Sequence, residues 1–203
     1  DLFSAERFSF LAQEAVKRQG LFYKSDKNGQ ATLTRSFTAL LYANLLNCDG
    51  NPNSSYYQAL SVQGRKYLLD KGLTYLSVER DTRGYSRKYG WVHAFAHGAD
   101  LLTEVACHPD FPSSRMPEVL EVLRQVFKRV PVRFGNDEDW RLARVLYEPI
   151  LQGKLEQEQV ASWIKTIDFP IEDPFVNFGF CCHCFWCFRH EVLAHAYVLN
   201  GIA

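Results

Sequence analysis

Between Trp91 and Glu104 the chain reads Trp-Val-His-Ala-Phe-Ala-His-Gly-Ala-Asp-Leu-Leu-Thr-Glu, long enough for a helix of four turns. Projected at about 100° per residue, His93, His97, Asp100 and Glu104 fall in a stripe roughly 60° wide. Trp91, Phe95, Ala99, Leu102 and Val105 centre on the opposite side. A helix of this pattern packs on one face and presents two imidazoles and two carboxylates on the other. The spacing predicts a helix from Trp91 to Cys107, closed by His108-Pro109-Asp110-Phe111-Pro112.

The rest of the chain has the same period. Leu2 to Gln19 reads as a helix, followed by a polar turn from Lys24 to Gln30. Thr34 to Asn47 is the next helix, stopped by Asp49-Gly50-Asn51-Pro52. Ser54 or Ser55 caps a helix from Tyr56 that breaks near Asp70-Lys71-Gly72 and resumes to Ser77. Glu79 to Tyr89 is a charged loop, and no run of alternating residues signals a hairpin. Pro117 opens a helix ending near Val130, with Glu118 and Glu121 early and Arg124, Lys128 and Arg129 late, an order that complements the helix dipole. Asn136 caps a helix whose buried stripe is Trp140, Ala143, Leu146 and Ile150, and Glu156 to Ile167 forms another. Residues 174–203 make an apolar tail rich in cysteine and aromatic side chains. The fold class is all-α in a single domain over residues 1–203. A solenoid-like α-α superhelix of the HEAT or armadillo kind suits the helix spacing, with an irregular helical bundle as the alternative.

Composition excludes some functions. Lys plus Arg and Asp plus Glu number 23 each, so the surplus positive charge that nucleic acid or an anionic membrane demands is missing. The longest uncharged run, Pro174 to Phe188, is about 15 residues and contains Asn177 and His183, short of the roughly 20 that cross a bilayer. No signal peptide is evident at Asp1-Leu2-Phe3-Ser4, which is not an initiating Met and reads as a processed or fragment end. Four of the six cysteines (Cys181, Cys182, Cys184 and Cys187) lie within seven residues, too close to bridge one another, and Cys48 and Cys107 cannot pair them all. A reducing cytoplasm is expected.

Three blocks of the sequence resemble a bacterial domain of unknown function. The central one runs Arg83-Gly84-Tyr85, then Gly90-Trp91-Val92-His93-Ala94-Phe95-Ala96-His97-Gly98-Ala99-Asp100-Leu101-Leu102. Upstream is Thr34-Arg35-Ser36-Phe37-Thr38-Ala39-Leu40, and downstream Asp137-Glu138-Asp139-Trp140-Arg141-Leu142-Ala143. The resemblance spans about residues 33–167 and implies a cytosolic, all-helical protein with no activity to carry over; the tail does not match it.

The stripe is either a solvated helix face or one wall of a pocket. Two histidines four residues apart can share an ion, so a divalent metal is the cofactor His93 and His97 would hold, with Asp100 or Glu104 as a third ligand or as an acceptor behind the imidazole. The Glu of the HExxH zinc-protease pattern is absent. Arg35, Arg83 and Asp139 lie in the matching blocks and are the other candidate wall residues. Arg83 could clamp a carboxylate or phosphate, or bridge an Asp and lock its loop. Arg35, near a helix start, needs a carboxylate, and Asp100 or Asp139 is the expected partner. Trp91 reads as a core anchor rather than a stacking platform. Cys181, Cys184, Cys187, His183 and His190 could bind zinc on paper, but one helix cannot close a tetrahedron, so burial or contact with a second copy is the alternative.

Two functions follow. One is a scaffold that binds a peptide or protein partner on its concave face. The other is an enzyme, such as a metal-dependent hydrolase, or a binder of a small anionic ligand in a pocket of His93, His97, Asp100 and an arginine. Self-association through the apolar tail is a further expectation.

Overall fold

A computed structural model describes residues 4–130 and 134–167. The expectations for the tail, including the Cys181–Cys187 cluster and self-association through it, lie outside these residues. The described residues are mostly helical: α1 (Ala5–Arg18), α2 (Gln30–Gly50), α3 (Val62–Val78), α4 (Ala94–Cys107), α5 (Met116–Arg129), α6 (Glu138–Leu151) and α7 (Gln157–Ile164). Between α3 and α4 the chain forms a short antiparallel hairpin of β1 (Tyr85–Ser86) and β2 (Gly90–Trp91). Among the described residues, no helix is long and apolar enough to cross a membrane.

The caps follow from side-chain chemistry. Ser4 accepts a hydrogen bond from Arg7 N at the start of α1, and Ser61 accepts one from Gly64 N at the start of α3. Glu156 and Gln159 form a reciprocal capping box at α7. Helix α3 therefore begins at Val62, not at Tyr56. The reason lies in the buried Asp49, whose Oδ1 accepts Leu60 N at 2.7 Å and whose main-chain oxygen accepts Gln58 N at 2.9 Å. Those bonds hold the chain before Ser61 in turns. Helix α3 also runs unbroken through Asp70-Lys71-Gly72. Gly72 is a contact, not a breaker: a Cβ there would stand 2.7 Å from Val105 Cγ2 of α4.

Helix α4 is the centre of the molecule and touches α2, α3, α5 and α6. Eleven of its fourteen residues are buried, which makes it an interior helix. Its crossing with α3 is close because Gly98 has no side chain, leaving room for Tyr75 and Leu76. Pro117 sits in the first turn of α5, as the sequence suggests. At the other end of α4, Lys154 Nζ donates to the main-chain oxygens of Ala106 in the last turn and of His108 and Phe111 just beyond it, tying the loop to a helix end whose carbonyls lack intrahelical partners.

The hairpin sets where α4 starts. Gly84 O accepts both Val92 N at 2.8 Å and His93 N at 3.2 Å. Gly84 lies so close to Asn136 and Glu138 that a Cβ would come within 2.4 Å of either. His93 takes a left-handed conformation, with φ 45°, and serves as the N-cap residue. Trp91 and Val92 are thus outside the helix expected from the periodicity. Trp91 is 55% exposed and packs edge-on against Tyr85, so it is not a core anchor; Val92 and Phe95 fill that role.

The Gly98 contact gives a direct test of the α3–α4 packing. A methyl group at Gly98 would meet Leu76 Cδ2 at 2.4 Å and Tyr75 Cε1 at 2.8 Å. Gly98→Ala is expected to destabilise the fold by about 1–3 kcal/mol in urea denaturation, the usual result of overpacking a filled core.

Candidate functional site

The four stripe residues divide between two environments. His97 is buried on α4, and its Nδ1 lies 2.9 Å from Ser36 Oγ of α2. The Ser36 hydroxyl donates its hydrogen to Val92 O at 2.5 Å. His97 Nδ1–H is therefore the donor to Ser36 Oγ, which assigns the tautomer and leaves Nε2 as the acceptor. Burial, with a smaller contribution from His93, pushes the His97 pKa down to about 4. His93 sits beside it with ring centroids 5.7 Å apart, and burial lowers its pKa as well. His93 Nε2 and Glu138 Oε1 are both buried without a hydrogen-bond partner among the described residues. No group of three or more His, Cys, Asp or Glu among these residues is placed to hold a metal ion.

Asp100 and Glu104 open instead into a cleft of about 460 Å³ between α2, α4 and α6. Helix α2 contributes Leu40, Ala43, Asn44 and Asn47; α6 contributes Trp140, Arg141 and Arg144, with Asp137 at its N-cap. Arg141 Nη1 donates to Asp100 Oδ2, and its Nε lies 3.6 Å from Asp137. Arg144 reaches Glu148 at 3.2 Å and Asp100 at 3.8 Å. Asn47 Nδ2 donates to Glu104 Oε2 at 3.0 Å. Burial raises the pKa of both acids. The Arg141 guanidinium opposes the rise at Asp100, and the Asn47 hydrogen bond opposes it at Glu104. The cleft therefore combines hydrogen-bond donors, acceptors and an indole, with two carboxyl groups more readily protonated than free ones.

The arginines expected on its wall are elsewhere. Arg35, 1% exposed, pairs with Glu79 rather than with Asp100 or Asp139. Its Nε and Nη2 donate to the two carboxylate oxygens at 2.7 and 2.9 Å, and its Nη1 donates to Tyr23 O, Lys24 O and Lys27 O. Every nitrogen is occupied. Arg83 forms the loop-locking bridge, at 2.7 and 2.5 Å to Asp81, which also accepts from Thr32 Oγ1. Asp139 lies half-buried in the first turn of α6, outside the cleft lining. The sequence reading missed Arg141, Arg144, Asn44 and Asn47. Their spacing was the available signal: Asp137, Arg141, Arg144 and Glu148 recur at four, three and four residues, and Asn44 and Asn47 stand three apart.

An all-helical domain with a mixed-charge cleft beside a buried central helix is the class that fold and site define. A model of the family described as "Protein of unknown function (DUF2785)" matches residues 21–175, and the chain belongs to that family. Searches among curated proteins and among solved structures find no match.

Two measurements check these environments. Arg35→Ala leaves Glu79 buried without its cation and is expected to cost about 3–5 kcal/mol in chemical denaturation. Arg35→Lys should not restore it, because an ammonium cannot reproduce the two-pronged bond. For His97, the folded pKa lies below the unfolded value of 6.5, so the unfolded chain takes up the proton first. Its contribution is fully present above about pH 6.5 and is lost as pH falls toward 4, amounting to about 3 kcal/mol. His97→Gln should flatten the stability-against-pH curve in that window, as read by denaturation at a series of pH values.

Proposed function

We propose that this protein is a binding module whose ligand occupies the cleft between α2, α4 and α6. One observation carries the reading: three helices from separate parts of the chain, with the α6 N-cap, bring three carboxyls, two guanidiniums, two carboxamides and an indole around one hollow of about 460 Å³. Such a mixture of donors and acceptors selects a polar partner, because each group must regain a hydrogen bond when water leaves. A tightly held anion fits less well, since Arg141 and Arg144 are already engaged by Asp100 and Glu148. A peptide or a small polar molecule meets the requirement.

A second reading, as an enzyme, draws on the raised pKa of Asp100 and Glu104, which favours carboxyl groups able to donate a proton closer to neutral pH. It would show as turnover with a bell-shaped pH profile that Glu104→Gln removes.

The binding reading is tested by a thermal-shift screen of polar metabolites and short peptides on the full chain, repeated on Asp100→Asn and Trp140→Ala. A ligand at about 100 times its Kd should raise the midpoint by roughly 5 °C or more, and both variants should cut that shift. Ligands whose shifts ignore both substitutions would place binding elsewhere and overturn the assignment.

A further inference from the structure

The cleft does not end at Glu104. A second hollow of about 360 Å³ opens where the C-terminal ends of α2 and α4 meet, and Asn47 and Glu104 line both. The Asn47–Glu104 hydrogen bond thus stands where the two hollows adjoin. Their wall on the α2 side runs from Leu40 to Pro52. The helical part of that wall, Leu40 to Gly50, spans roughly 15 Å at about 1.5 Å per residue, with Asn51 and Pro52 beyond it. An extended chain advances about 3.3 Å per residue, so about five residues fit along it. A compact ligand would fill one hollow and leave the other empty.

The groove's side chains suit a peptide in particular. Exposed Asn44, Asn47 and Asn51 follow one another at three and four residues along this wall. A carboxamide offers both a donor and an acceptor, the complement of a peptide group. Asn47 and Asn51 are one helical turn apart, about 6 Å along the axis. That is close to the roughly 6.6 Å at which an extended chain presents peptide groups on the same side. Asn44 Nδ2 is held by Leu40 O and Asn51 Oδ1 by Asn53 N, so the opposite end of each carboxamide is the part turned to a partner.

Charge adds the side chain. Arg141 is bound to Asp100 and Arg144 to Glu148. Glu104 has the Asn47 amide, and no Lys or Arg among the described residues lies within 4 Å of it. A carboxylate with no cation within 4 Å therefore stands at the junction of the two hollows, Arg144 acting on it only from farther away. Gly50 keeps the second hollow's end narrow, since a Cβ there would stand 2.9 Å from His108 Cδ2.

We propose that the continuous groove takes an extended peptide segment, with Asn47 and Asn51 bonding its main chain and Glu104 receiving a lysine or arginine side chain. This rests on the reading of the α2–α4–α6 cleft as a binding site and adds the second hollow, the main-chain contacts and the basic residue.

Calorimetry on the full chain distinguishes the possibilities with three probes: the hexapeptide acetyl-Ala-Lys-Ala-Lys-Ala-Lys-amide, lysinamide, and the neutral maltohexaose. The hexapeptide should bind at least about ten-fold tighter than lysinamide, and Glu104→Gln should weaken it about ten-fold, the effect of losing one charged hydrogen bond. Asn51→Ala should weaken the hexapeptide several-fold and leave lysinamide unchanged, because Asn51 lines only the second hollow. Hexapeptide binding no tighter than that of lysinamide would overturn the extended groove; the thermal-shift hits that depend on Asp100 and Trp140 would still stand. Absent hexapeptide binding, indifference to Glu104→Gln, or tighter binding of maltohexaose would overturn the peptide assignment.

Discussion

Arg35 and Glu79 form an ion pair removed from water, and the placement of the cleft depends on it. Such a pair survives burial only when its remaining hydrogen-bonding positions are filled. Here they are: three main-chain carbonyls accept from Arg35, while Arg80 N, Asp81 N and the Tyr75 hydroxyl donate to Glu79. The contact joins the first turns of α2, the turn before it and the end of α3. Asp81, fixed next along the chain by Thr32 and Arg83, then launches the loop toward the hairpin. Gly84 finishes the path by docking on Glu138 and Asn136 and receiving Val92 and His93. The entry point of α4 follows from this series, and the entry point decides which of its faces meets α6.

The same series separates the two halves of the polar stripe. With α4 enclosed by four other helices, a face that would be wet on a peripheral helix is covered near its N-terminus and open only farther along. His97 lies in the covered part, neutral and tied to Ser36. Asp100 and Glu104 emerge in the open part, where they line the cleft between α2 and α6. The histidine thus serves packing, while the two carboxyls stay at the cleft surface.

Much of this was legible in the sequence. The helical period of α1, α2, α5, α6 and α7 and the proline at the start of α5 are local properties, and local properties can be read directly. The alignment of Asp100 and Glu104 on one side of α4 was readable for the same reason. What escaped was decided by residues far apart in the chain. Tyr56 to Leu60 carry a helical pattern, yet Asp49 takes the Gln58 and Leu60 amides and holds the segment in turns. Gly72 resembles a breaker until Val105 is set against it. Trp91 looks like a core residue by composition, but the hairpin that Gly84 closes turns it outward. Arg35 needed a carboxylate, as its position near a helix start suggested, and only the tertiary fold chose Glu79 over Asp100 and Asp139.

Lys154 illustrates a different outcome of the same enclosure. Its ammonium group is shared by three carbonyl oxygens at the far end of α4, and burial lowers its pKa. A lowered pKa would ordinarily make an amine a better nucleophile. Here its hydrogens are engaged by three main-chain oxygens, so acylating reagents would react with the exposed Lys17 and Lys66 before it. This lysine is committed to holding the main chain just past the end of the helix rather than to carrying a mark.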